Sequence, residues 1–200
     1  KSFTADSIIA QFRDFKTTQD VLENEDQSDA VLNVVVTCPL TTIAALNGAC
    51  TGGGAAIAAA CDLRIAAANL KFGFPIARTL GNCLATANIA RLTALIGEGR
   101  LREIIFTSRL MEAEEARASG FVSEILSDEP ALMTRAAELA EHVGGMAPLT
   151  LRATKEALRR LRAANPVEDS DLIALCYTSD DFRTGMEAFL AREAPVWKGR

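Results

Sequence analysis

One histidine, no closely spaced cysteine pair and no long apolar run: each shortage in this chain removes a class of function. The single histidine, His142, falls near the end of a predicted helix in the C-terminal half and reads as a solvent-facing helix residue. Ser-His-Asp and Cys-His schemes are thereby set aside. The five cysteines, Cys38, Cys50, Cys61, Cys83 and Cys176, lack CxxC spacing and mostly sit in apolar surroundings. That pattern suggests neither a zinc site nor a disulfide framework, and it implies a reducing, cytoplasmic setting with no metal. No apolar run approaches the ~18 residues that cross a bilayer, and Lys1-Ser2-Phe3-Thr4 is not a signal peptide, so a protein away from the membrane is expected. Basic residues cluster only at Arg159-Arg160-Leu161-Arg162 and the net charge is −5, which argues against nucleic acid as a partner. Carboxylates are scarce where they would matter: from Ala30 through Gly97 only Asp62 occurs.

What is present is a chain of 200 residues, 49% of them apolar, enough for a substantial core. Its centre is the stretch from Ile43 to Ala66. An apolar run to Leu46 meets Asn47-Gly48, then Gly52-Gly53-Gly54, then alanine-rich sequence to Cys61. This reads as strand, tight turn, glycine loop and buried helix. A helix opened by glycines presents bare N–H groups that have no partner inside it, and such a start attracts an anion or a developing oxyanion. The same residues equally suit a turn followed by a closely packed core helix. Context has to decide.

A short apolar-polar mixture from Lys1 to Phe15 predicts a loop running into a short helix. Val21, Leu22, Val31, Leu32 and Val35 recur at helical spacings between Thr17 and Val36, with Thr17 or Thr18 as N-cap and Pro39 beyond the end. A strand over Thr41–Leu46, the glycine loop, a helix and a second strand over Asp62–Ala67 follow, the alternation of an α/β sheet protein. The loop stands at a strand-to-helix junction, where such folds place ligands. Lys71 to Asn88 reads as a loop returning to helix near Leu84. Helical blocks are predicted over Arg100–Thr107, Ala113–Ala118 and Pro130–Val143, with a short strand or extended link in Phe121–Leu126. Helix is expected again over Pro148–Ala164 and Glu168–Ala191. These blocks divide the chain into an α/β core, residues 1–147, and a helical C-terminal region, residues 148–200.

An ordered series of residues carries a resemblance over essentially the whole chain. Asn47-Gly48, Gly52-Gly53-Gly54, Cys61-Asp62, Phe72-Gly73 with Pro75, Leu80-Gly81, Arg91-Leu92, Ala113, Ala116, Gly120-Phe121-Val122 and Ala188-Phe189 together resemble the crotonase superfamily, the enoyl-CoA hydratase/isomerase group. The resemblance implies an α/β fold with a spiral of ββα turns and a helical C-terminal trimerisation region, giving homo-trimers often paired into hexamers. The family's first strands are expected to be absent from this chain, which starts without an initiator methionine. The implied ligand is an acyl-CoA thioester, with coenzyme A belonging to the substrate and no further cofactor. Two backbone N–H groups stabilise the thioester enolate in this family.

By resemblance the donors fall at Gly53 and at Ser7, within Ala5-Asp6-Ser7-Ile8, where Asp6 replaces the family's glycine and Ile8 its aspartate. The two hydratase glutamates of the family correspond to Ala56 and Ile76, and neither side chain can move a proton. Two-glutamate addition of water therefore cannot be written on this sequence. The acid or base is left unassigned. Asp6 is either a base beside the oxyanion donor or the cap of the following helix. Ala5, Ile8, Gly52, Gly54 and Ile76 are the implied substrate-binding positions, together with Arg78 and Asn82, which otherwise read as surface polar residues on a loop. Cys83 has a nucleophile's chemistry, but no helper adjoins it in sequence and a buried cysteine is the favoured reading. Asp62 reads as structural. Arg192, Trp197 and Lys198 are either a solvated tail or contacts to the coenzyme A of a neighbouring subunit. Three functions fit: an acyl-CoA enzyme of enolate chemistry other than two-glutamate hydration, such as isomerisation; an acyl-CoA binder without turnover; or a structural oligomer subunit.

Overall fold

The computed structural model describes residues 2–4, 9–164 and 168–200. Ala5, Asp6, Ser7 and Ile8 lie outside the described residues, and with them the second oxyanion donor and the candidate base.

Strand β1 (Ser2–Thr4) and a 3-10 turn (Ile9–Asp14) precede helix α1 (Thr18–Thr37). The start of α1 is fixed by a capping box: the Asp20 N–H donates to Thr17 Oγ1 at 3.2 Å, and the Thr17 N–H donates to Asp20 Oδ2 at 2.9 Å. Two ββα turns follow. The first is β2 (Ile43–Leu46), β3 (Ala49–Thr51) and α2 (Gly53–Ala60); the second is β4 (Leu63–Ala67), β5 (Lys71–Gly73) and α3 (Ile76–Thr79). After α4 (Thr86–Ile96) and α5 (Glu98–Phe106) come β6 (Met111–Glu112), α6 (Ala113–Ala118) and β7 (Ile125–Leu126). The chain ends in α7 (Glu129–Gly144), α8 (Pro148–Ala163), α9 (Ser170–Tyr177) and α10 (Asp180–Ala191).

Each ββα turn gives one strand to each of two sheets among the described residues, ordered β1-β3-β5-β6 and β2-β4-β7. All pairings are parallel except β5 with β6. This is the spiral that the resemblance implied. β4 is buried along Arg64–Ala67, as a parallel strand covered on both faces must be. Arg64 tolerates that burial because its guanidinium donates to Phe121 O at 2.7 Å and Cys61 O at 2.6 Å and lies over the Phe121 ring. Asp62 has a structural role: its Oδ2 accepts from Thr42 N at 2.8 Å and Lys155 Nζ at 2.7 Å, tying α8 to the start of β4.

Several short elements differ from expectation. β3, β5 and α3 occupy stretches that read as loop, and α4 starts two residues later than Leu84. The predicted helix over Glu168–Ala191 is two helices, broken where Ser179 caps α10 by accepting from the Phe182 N–H at 3.0 Å. α9 and α10 pack on this chain's own core through Phe12, Val21, Leu80, Ile173, Tyr177, Phe182 and Met186. Gly185 lets α10 approach α3 so closely that a Cβ there would lie 2.5 Å from Leu80 O. The tail folds back as well: Asp181 accepts from the backbone N–H groups of Lys198 and Gly199, and Trp197 rests on Gly81. By contrast α8 buries no residue, and Leu149, Leu158 and Leu161 stand exposed along it. Among the described residues no helix is long and apolar enough to cross a membrane.

Candidate active site

A cavity of about 390 Å³ opens between α1, α2, the segment after α3 and α9. Its wall begins at the glycine loop. Gly52 has φ +56° and ψ −129°, a conformation that suits glycine, and it turns the end of β3 directly into α2. Gly52, Gly53 and Gly54 all line the cavity, so the first N–H groups of α2, which have no acceptor inside the helix, stand at its edge. Behind them Gly54, Ala55, Ala56 and Ala58–Ala60 are buried, and their small side chains let α2 sit deep in the core.

Ala56 and Ile76 line the same cavity and are both buried. With Leu32, Phe74 and Leu80 they make an apolar wall with no proton to give or take. Asn82 also lines it, whereas Arg78 is exposed in the last turn of α3 and stands outside the lining. His142 is exposed at the end of α7 and is not among the lining residues. Among the described residues no cluster of three or more potential metal ligands is present.

Sequence reasoning missed a polar chain that lines the cavity. Glu25 of α1 and Tyr177 of α9 are both lining residues. The Tyr177 hydroxyl donates to Glu25 Oε1 at 2.7 Å, and Asn82 Nδ2 donates to the Tyr177 oxygen at 3.0 Å. The tyrosine has one proton, committed to the carboxylate, so its remaining capacity is as an acceptor and Asn82 must present its amide nitrogen. Asn82 Oδ1 is then left buried without a partner among the described residues. Burial pushes the Glu25 carboxyl above the usual carboxylate range; the Tyr177 hydrogen bond opposes this, and the nearby charges of Asp29, Asp169 and Asp26 add to it. Burial also raises the Tyr177 hydroxyl, with Glu25 contributing.

Cys83 lines the cavity next to this chain and is half-buried rather than sealed in the core. Its thiol donates to Leu172 O at 3.6 Å, and interaction with the neighbouring Cys176 thiol pushes Cys83 up and pulls Cys176 down to about 7. No local signal in the sequence links Glu25, Asn82, Cys83 and the α9 pair, since the contacts span up to 152 residues.

This fold and this glycine-opened helix are those of a known family. The family model for enoyl-CoA hydratase/isomerase matches residues 9–200. The chain is 31% identical to the short-chain-enoyl-CoA hydratase of Clostridium acetobutylicum, over 96% of this chain and 74% of that protein. It is 36% identical to the carnitinyl-CoA dehydratase of Salmonella typhi, over 79% of this chain and 63% of that protein. Among solved structures, a methylmalonyl-CoA decarboxylase in complex with 2-nitronate-propionyl-CoA superposes with a TM-score of 0.88 at 26% identity, over 98% of this chain and 76% of that one. The chain belongs to the enoyl-CoA hydratase/isomerase family. It spans about three quarters of the length of the first of these two curated relatives and less than two thirds of the second.

Proposed function

We propose that this chain is an acyl-CoA enzyme that holds a thioester enolate against the Gly53 N–H and transforms it by isomerisation or another route that dispenses with two glutamates. The carrying observation is that Gly53, Ala56 and Ile76 line one cavity: this supports reading the Gly53 N–H as the oxyanion donor, beside two apolar positions where the resemblance implies the acid-base glutamates. Proton abstraction next to a thioester places negative charge on its oxygen, and a fixed backbone donor stabilises that charge without reorganising. Ser7 is the proposed second donor, and Gly52, Gly54, Ile76 and Asn82 the walls against the acyl group. The chemistry asks for no cofactor beyond the coenzyme A of the substrate. Binding without turnover is the alternative, favoured by the same two apolar side chains.

The test is a variant that removes the donor without harming the helix. Gly53 is the first residue of α2, the position where proline is best tolerated because its missing N–H has no intrahelical role. Gly53→Pro is expected to fold, to bind a CoA thioester and to lose about 2.7–4 kcal/mol of transition-state stabilisation. Unchanged turnover in folded Gly53→Pro would contradict the assignment.

A further inference from the structure

We propose that Glu25 is the proton-transfer group of this cavity, a catalytic residue supplied by α1 in place of the two missing glutamates, with Tyr177 and Asn82 as its positioning residues. The inference rests on the reading of the cavity as a thioester enolate site.

Among the described lining residues Glu25 alone carries a carboxyl group. It does not simply project into solvent: Tyr177, which is only 6% exposed, reaches it from α9, and Asn82 reaches Tyr177 from the segment after α3. Three separated elements thus converge on one carboxylate at the edge of an apolar chamber. A half-buried carboxylate with Asp26, Asp29 and Asp169 nearby costs stability, and the geometry offers no cation to neutralise it within that chain. A perturbed carboxylate that lines a cavity and is held by a specific partner is a candidate for proton chemistry. Asn82 Oδ1, buried and without a partner among the described residues, is an acceptor open to a donor group of the substrate.

One carboxylate is enough for an enolate reaction. The Glu25 carboxylate takes a proton from C2 of a 3-enoyl thioester; the C–H pair becomes the C1–C2 double bond and the carbonyl pair moves to the oxygen held by Gly53. The enolate then collapses, the double bond shifts to C2–C3, and the Glu25 carboxyl returns the same proton to C4. Nothing else is consumed. On a saturated thioester the same first step is reversible proton exchange at C2. Addition of water is different, because it asks for a second group to activate the water while the first serves carbon.

The experiment follows exchange of the C2 hydrogens of butyryl-CoA in deuterium oxide by NMR, beside the thermal shift that the thioester produces. Wild type is expected to exchange, and Glu25→Gln, which can still accept from Tyr177, to exchange at least ~100-fold more slowly with its thermal shift retained. Tyr177→Phe tests positioning. Facing Glu25 are Asp26 and Asp29 on its own helix, Asp169 ahead of α9, Tyr177 on α9 and the Cys83 thiol. Because the tyrosine proton favours the carboxylate, its loss is expected to move the acid limb of the exchange profile to higher pH; an unmoved limb would overturn the positioning role. Wild-type exchange in Glu25→Gln would overturn the proposal, as would a wild type that binds the thioester but never exchanges it. If Gly53→Pro stops exchange while Glu25→Gln does not, Glu25 falls and the enolate site stands. A protein that no thioester stabilises would overturn both.

Discussion

The hydroxyl of Tyr177 on α9 donates a 2.7 Å hydrogen bond to Glu25 Oε1 on α1, joining residues 152 apart in sequence that line one cavity. The C-terminal helices therefore help to build the site. Removing them would take away Tyr177, the packing of Phe182 against Phe12, and one wall of the chamber.

The pH dependence of stability follows from Glu25. Its pKa is raised in the fold, so the folded state holds the proton more tightly than the unfolded chain does. The stability this contributes is fully present below the unfolded pKa and is lost as pH rises through the folded one. Glu25→Gln should accordingly melt higher than wild type near neutral pH, with the gain shrinking toward pH 4. Melting curves across that window check it, and a lower melting temperature for Glu25→Gln at neutral pH would contradict it.

Gly185 supplies a packing test. A Cβ there meets Leu80 O at 2.5 Å and Thr79 O at 2.9 Å, both backbone atoms that cannot swing aside. Gly185→Ala is expected to destabilise by about 1–3 kcal/mol, lowering Tm by at least ~2 °C for a chain of this size. Gly99→Ala, where a Cβ meets nothing within 4 Å, is the control and should leave Tm near wild type.

Assembly is expected from α8. Its apolar residues Leu149 and Leu161 are 77% and 72% exposed, and no residue of the helix is buried. A helix that finds no core in its own subunit and shows such a face predicts a symmetric oligomer. Light scattering should give a trimer or hexamer, and Leu149→Asp with Leu161→Asp should shift it toward monomer.

The thiols should differ in reactivity. Cys176, pulled down to about 7 by the neighbouring Cys83 thiol, is expected to be alkylated fastest at neutral pH. Cys50, fully buried and pushed up to about 12, should remain unmodified until the protein unfolds. Peptide mapping after brief iodoacetamide treatment reads both.

Much of the fold was legible because its signals are local. Thr17 with Asp20 announces α1, and Gly52-Gly53-Gly54 before an alanine run announces α2. β3 and β5, of three residues each, are set by partners across the sheet rather than by their own sequence, and the four-residue α3 is too short to show a period, so all three read as loop. The break before Ser179 escaped because helical periodicity is similar on both sides. For the candidate site, Ala56 and Ile76 are visible in the sequence as apolar residues where the resemblance implies glutamates. Glu25 was not, since on the sequence it is one acidic residue among several on the polar side of α1, and only the docking of α9 makes it a lining residue.

The central claim is that this cavity performs enolate chemistry without the pair of groups that hydration requires. Following C2 exchange of butyryl-CoA and loss of the conjugated absorbance of crotonyl-CoA in one preparation tests it most directly. The account predicts measurable exchange together with hydration slowed by at least ~100-fold relative to a two-glutamate hydratase, and a rise in hydration on Ala56→Glu with Ile76→Glu. Fast hydration by the unmodified chain would contradict it.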